Sequence, residues 1–222
     1  MQQPIVADQG SADQGSAGMV DVRSEAELRE LIGAPTAAVA AKARTALGEP
    51  HRQWLARSPL CLVATAAADG SCDVSPKGDP PGFTLVLDDT TIAIPDRPGN
   101  RRVDTFRNLL ANPQVGLLFL VPGRGDTLRI NGTARLVRQA PFFDRLTVRG
   151  HRPALAMVVT VRETFFHCAK AFMRSELWQP ETWDPDALPS RAQIIRSVER
   201  PDTALADLER HYGPRYRDGL YG

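Results

Sequence analysis

The sequence predicts a mainly β protein of the α+β type, a small six-stranded antiparallel barrel with flanking helices. Three observations carry that expectation. From Leu60 onward, apolar residues come in short runs or in alternation rather than at helical spacing. Turn pairs such as Asp69-Gly70 and Asp88-Asp89 join consecutive runs as hairpins. Helices between the runs are too few to supply the crossovers of a parallel sheet.

In chain order, Ala-Asp-Gln-Gly-Ser stands at 7–11 and again at 12–16, a polar composition that cannot repay the entropy of ordering, so residues 1–20 read as a disordered tail. Ser24 and Glu27 form a capping-box pattern before Leu28, Leu31 and Ile32, and Gly33 with Pro35 ends that helix. A second helix is expected over Ala37 to Trp54. Leu60 to Ala66 and Cys72 to Ser75 make the first hairpin, and Phe83 to Leu87 with Thr90 to Ile94 the second. Val103, Phe106, Leu109 and Leu110 lie on one face of a helix over Arg101 to Ala111, stopped by Asn112-Pro113. Val115 to Val121 reads as a buried strand. Leu128, Ile130, Ala134 and Leu136 alternate with Arg129, Asn131, Thr133 and Arg135, a strand wet on one side in which Gly132 marks a bulge or a close approach. A short helix at Pro141 to Phe143, a strand over Leu155 to Phe166, a helix over Ala169 to Trp178 and a Pro-rich, then helical, remainder complete the chain.

Composition narrows the function classes. A chain of 222 residues can bury one full core. Its net charge of +1 creates no field that would gather nucleic acid, so an anion must be recognised by local clustering of cations. Cys61, Cys72 and Cys168 are odd in number, lack metal-ligand spacing and follow no secretory leader, which points to free thiols in a cytoplasmic protein. The apolar run Val115 to Val121 falls far short of the roughly 20 residues of a membrane helix, so no membrane association is expected. Gly123-Arg124-Gly125 lacks the third glycine of a dinucleotide fingerprint, and no phosphate loop is present. His51, His151, His167 and His211 are scattered, which argues against a zinc site or a Ser-His-Asp triad. No catalytic side chain and no metal ligand is assigned.

Three clusters could carry chemistry. In the stretch from Pro95 to Arg102, Asp96, Arg97, Asn100, Arg101 and Arg102 lead into the expected helix start. Cations there oppose the helix macrodipole by about 0.3–1 kcal/mol each unless an anion joins them. Asn100 could cap the helix while first-turn amides and two guanidiniums surround a phosphate; the alternative is a solvated basic turn. Ser75-Pro76-Lys77-Gly78-Asp79 is expected to form a stiff loop after the second strand. Lys77 there either faces water or stands beside a planar redox ring whose negative charge it would stabilise. Lys170, Arg174 and Trp178 recur at i, i+4 and i+8, a stripe suited to a phosphorylated aromatic ligand, to a partner's acidic surface, or to packing alone.

Taken together these segments resemble the FMN-binding split-barrel flavoproteins related to pyridoxamine phosphate oxidase. The resemblance runs from about Leu28 to Trp183 and rests on Ser-Pro-Lys-Gly-Asp at 75–79, Pro-Gly-Asn-Arg-Arg at 98–102 with Asp104-Thr105, Asn112-Pro113, Leu-Arg-Ile-Asn-Gly at 128–132, and Lys170 with Arg174-Ser175 and Leu177-Trp178. It implies a Greek-key split β-barrel over residues 21–183, with 184–222 as a partly helical extension. It implies FMN as cofactor, its phosphate at Asn100, Arg101 and Arg102, its ring along Ser75, Pro76 and Lys77, and Lys170, Arg174, Ser175 and Trp178 contributed by the partner of a homodimer. The arginine- and histidine-containing substrate motif of true pyridoxamine phosphate oxidases is not recognisable, which argues against vitamin B6 oxidation. The expected activity is transfer of hydride or electrons through FMN to and from an unidentified small molecule. The alternatives are a non-catalytic flavin-binding or redox-sensing module and a barrel holding a deazaflavin or haem.

Overall fold

The computed structural model describes residues 18–221; the repeat at 7–16 lies outside the described residues. The chain divides between Lys42 and Ala43 into two units. In the first, α1 (Glu25–Ile32) is capped by Ser24, whose hydroxyl accepts from the Glu27 amide at 3.1 Å. The Glu27 carboxylate accepts from Arg23, one residue outside the expected box. Gly33 at φ 85° ends the helix, and α2 (Ala37–Ala40) follows.

The single helix expected over 37–54 is a correction: α2 ends at Ala40, and α3 (Glu49–Arg57) begins afresh in the second unit. Arg44 makes a backbone bridge to Thr164, which takes the intervening chain out of helical geometry. Pro50 in the first turn of α3 has no amide to continue a helix from upstream.

The second unit is built on β1 (Leu60–Ala66), β2 (Cys72–Gly78), β3 (Leu85–Val86), β4 (Thr91–Pro95), β5 (Gln114–Leu120), β6 (Thr127–Val137) and β7 (Ala156–His167). They form one sheet in the order β2-β1-β5-β6-β7-β4-β3, with every neighbouring pair antiparallel. The expectation of an antiparallel sheet with flanking helices holds, but the count of six strands is one short. The runs named from the sequence number seven and each contains one of these strands; the two-residue β3 lies within the Phe83 to Leu87 run and pairs to β4 across the Asp88-Asp89 turn, where the Asp88 carboxylate accepts from the Thr90 amide at 2.8 Å.

Alternation places the core. Cys61, Val63, Val115, Leu117, Phe119 and Ile130 point to one side of β1, β5 and β6 and are buried, and Trp54 and Leu55 of α3 close over them. The Trp54 indole N–H is not orphaned by that burial, since it donates to the Phe119 carbonyl at 3.3 Å. Gly132 marks both features expected of it. The β6–β7 register shifts at Asn131/Gly132, and a Cβ at Gly132 would stand 2.0 Å from the Thr160 carbonyl oxygen. On the outer face of β6, Arg129 and Asn131 both reach the Glu163 carboxylate, at 2.8 and 3.1 Å.

Between β4 and β5, α4 (Asp104–Ala111) packs on β1, β6 and β2. Past β7 come α5 (Lys170–Arg174), α6 (Arg191–Val198) and α7 (Leu205–His211). The last two share a small core of Ala192, Ile195 and Leu208. Cys61, Cys72 and Cys168 are unpaired, and among the described residues no helix is long and apolar enough to cross a membrane.

Candidate functional site

The Ser-Pro-Lys segment is strand rather than loop, because β2 continues to Gly78, with Ser75 opposite Val63 and Lys77 opposite Cys61. Pro76 is tolerated there since β2 is an edge strand that needs no outward amide. Period-2 geometry puts Asp73, Ser75 and Lys77 on one half-buried face and leaves Val74 and Pro76 exposed on the other. Asp73 accepts from the Ser75 hydroxyl at 3.0 Å and from the Thr105 hydroxyl at 2.6 Å, which ties the strand to α4. Lys77 Nζ lies 3.4 Å from the Asp96 carboxylate and 4.7 Å above the Phe106 ring.

Facing this strip is the chain from Asp96 to Val103. Arg97 is clamped: Nε donates to Asp79 at 2.6 Å and Nη2 to the Leu146 carbonyl at 2.7 Å, while Nη1 is buried without a partner. The Asp79 side chain is 1% exposed and also accepts from the Tyr221 hydroxyl at 2.5 Å. That hydrogen bond to a carboxylate holds the Tyr221 phenol above its usual pKa.

The helix does not begin at Arg101. It starts at Asp104, because Arg101 and Val103 take left-handed conformations, with φ 61° and 56°. For a β-branched residue this is an outlier costing about 1–3 kcal/mol, and such strain persists only where the surroundings enforce it. The expected penalty of two cations in the first turn therefore does not arise; the first-turn charge is Asp104, which accepts from Arg102 Nε at 2.7 Å. Nor does Asn100 cap the helix. Its side-chain oxygen accepts from the Arg102 amide at 3.1 Å, closing a turn of its own. The N-cap is Val103, with no side-chain hydrogen bond, so first-turn amides lack a side-chain acceptor. Arg101 is exposed and, among the described residues, makes no ion pair or side-chain hydrogen bond.

Three adjoining cavities, of about 770, 340 and 340 Å³, follow these segments, and Lys77 and Asn100 border all three. Eight of the expected residues line one or more of them: Ser75, Pro76, Lys77, Asp96, Arg97, Asn100, Arg101 and Arg102. The other four lie elsewhere in the chain. Because α5 stops at Arg174 and Glu176 turns left-handed, the stripe of Lys170, Arg174 and Trp178 is broken before its third member. Trp178 donates to the Arg124 carbonyl at 2.8 Å and stacks on Phe172, and the Ser175 hydroxyl donates to the Phe172 carbonyl.

Sequence reasoning missed Asp73, Asp79, Phe106 and Tyr221, and the contribution of Arg210, His211, Arg215 and Tyr216 to the 770 Å³ cavity. Asp79 and Phe106 stood inside segments already singled out. Tyr221 gave no signal, being 142 residues from the carboxylate it meets. The Cys61 thiol has its pKa driven up by burial, which makes it a core residue and not a nucleophile.

Fold and cleft together define an antiparallel-sheet protein with a cation-rich cleft between a sheet edge and a strained loop. Residues 47–168, more than half of the chain, match the pyridoxamine 5'-phosphate oxidase family, and the chain belongs to that family. No curated protein matches it. Similar solved structures include a putative pyridoxamine 5'-phosphate oxidase from Lactobacillus delbrueckii, 21% identical, covering 55% of this chain and 95% of that one at a TM-score of 0.44. An F420 reductase is 22% identical over 55% and 98% of the two chains, with a TM-score of 0.39. An FMN-binding protein from Syntrophomonas wolfei is 13% identical over 53% and 88%, with a TM-score of 0.41.

Proposed function

We propose that this chain is a flavoprotein that holds FMN in the cleft between β2 and the 96–103 loop and uses it as an oxidoreductase. The observation that carries the reading is Arg101, an unpaired cation between Asn100 and a strained, uncapped helix start, beside the Lys77 strip. A phosphate monoester fits that donor set, since a doubly charged group satisfies free amides and a guanidinium at once. Family membership supports the same cofactor class. In this reading Arg101, Arg102 and Asn100 hold the phosphate, and Ser75, Pro76 and Lys77 run along the ring. Asp96 shares the Lys77 ammonium at 3.4 Å and so positions it at the ring edge. The sheet curls into the split barrel, and a second copy of the chain brings Lys170, Arg174, Ser175 and Trp178 to the cofactor. Bound FMN supplies hydride and electron transfer that no side chain here provides.

The test is the visible spectrum and mass of whatever copurifies, followed by titration of stripped protein with FMN. A flavin spectrum and one FMN per chain are expected. Colourless protein whose addition leaves the FMN spectrum unshifted overturns the reading, as does a copurifying deazaflavin or haem. Reduction of the bound flavin by a panel of donors then separates an enzyme from a binding module.

A further inference from the structure

The 770 Å³ cavity is lined in part by a stretch of the chain beyond the family match. Arg210, His211, Arg215, Tyr216 and Leu220 face the same space of about 770 Å³ as Lys77, Arg101 and Phe106. The final segment is held in place. The Tyr221 hydroxyl donates to Asp79, its ring stacks on His151 at 5.6 Å, and the guanidiniums of Arg97 and Arg149 stand over it at 5.9 and 5.6 Å. Upstream, α6 and α7 are fixed by their own apolar core.

The charge of this wall exceeds what one phosphate needs. Asp96 is the only carboxylate among the described lining residues, against Lys77, Arg97, Arg101, Arg210 and Arg215. Arg97 is neutralised by Asp79 and Lys77 by Asp96, and Arg210 reaches Asp207 at 3.1 Å on the exposed side. Among the described residues Arg215, like Arg101, makes no ion pair. Two uncommitted cations thus line one cavity, one from the loop and one from the tail.

We infer that the C-terminal segment is the second-ligand wall of the cleft, and that Arg215 with Arg210 recognises the anionic head of a small organic acid whose flat body lies toward Phe106. The inference rests on the proposed FMN site for the role of the loop residues, but the tail site can be read without it. Carboxylate and phosphate heads share the chemistry that two guanidiniums select.

The experiment is calorimetric titration of the full chain with benzoate and, separately, with phenyl phosphate, with flavin content measured on every sample. Saturable binding of at least one anion is expected, and the stronger of the two identifies the head group. Arg210→Gln/Arg215→Gln, at exposed positions, is expected to weaken that binding about tenfold or more. Arg215→Lys is expected to recover part of the loss, as a charge that cannot fork. No binding of either anion, or unchanged affinity in the double variant, overturns the proposal. So does a double variant that loses its flavin, since that would place the pair at the cofactor. Wild-type protein that binds the anion through these arginines but takes no FMN would instead sink the cofactor reading and leave the tail site standing.

Discussion

The inner face of β5 and β6 and the cleft between β2 and the 96–103 loop are built by opposite rules. On the first, Leu117, Phe119, Leu128 and Ile130 are at most 1% exposed, fall on alternate positions and need nothing outside their own strands to place them. Along the second, the chain carries two left-handed non-glycine residues, a helix start without a side-chain cap and a clamped arginine with one orphaned nitrogen. The core minimises its free energy locally, whereas the cleft is held in costly conformations by Asp79, Asp73 and the packing of Phe106. Strain and spare cations concentrated in one place mark where a ligand repays the cost.

If that contrast is right, the largest effect belongs to the sheet. Gly132→Ala puts a methyl 2.0 Å from a backbone carbonyl at the β6–β7 bulge, and neither strand can move without breaking its ladder. A loss above about 4 kcal/mol by chemical denaturation is expected, and a loss below about 1 would mean the bulge is soft. Next is Asp79→Ala, which leaves Arg97 buried and uncompensated where the two side chains are 1% and 13% exposed. A loss of about 3–5 kcal/mol is expected on the same assay, and a neutral result would show that the clamp does not hold the loop.

Val103→Gly should act in the other direction. Relief of about 1–3 kcal/mol of left-handed strain outweighs the extra chain entropy of glycine, about 0.5–1 kcal/mol, for a net gain of about 1 kcal/mol. Destabilisation on denaturant titration would remove strain from the account. The smallest effect concerns His51, which accepts from the Gly48 amide at 3.0 Å and stacks on Phe166. Burial holds its pKa below the ordinary 6.5, so the unfolded chain binds the proton more readily. Stability contributed by neutral His51 is complete above pH 6.5 and is lost as pH falls through the lowered folded value. His51→Gln should flatten that part of the stability profile, and an unchanged slope would assign it to other groups.

The same contrast explains what the sequence made legible. Alternation and turn pairs located every strand of the sheet, but the Phe83 to Leu87 run shrinks to the two-residue β3, which has no period of its own to fix its ends. Eight of twelve expected site residues share the cleft because Ser75–Lys77 and Asp96–Arg102 carry local composition that needs phosphate or water. The helix start at Arg101 was not legible as an error, because a left-handed Val103 violates local propensity and is imposed by tertiary packing. The single helix over 37–54 failed for a related reason, the long-range bridge from Arg44 to Thr164. The tail wall was out of reach entirely: nothing in Arg210, Arg215 or Tyr221 as sequence states which distant strand they meet.

The central claim, that a phosphate sits against Arg101 in this cleft, is tested most directly by comparing the dissociation constants of FMN and riboflavin. The account predicts that FMN binds about a hundredfold or more tightly than riboflavin, and that Arg101→Ala lowers this preference about tenfold or more, as expected for a charge-assisted contact of about 1.5–3 kcal/mol. Equal affinity for the two compounds in the wild-type protein, or a preference untouched by Arg101→Ala, would contradict it.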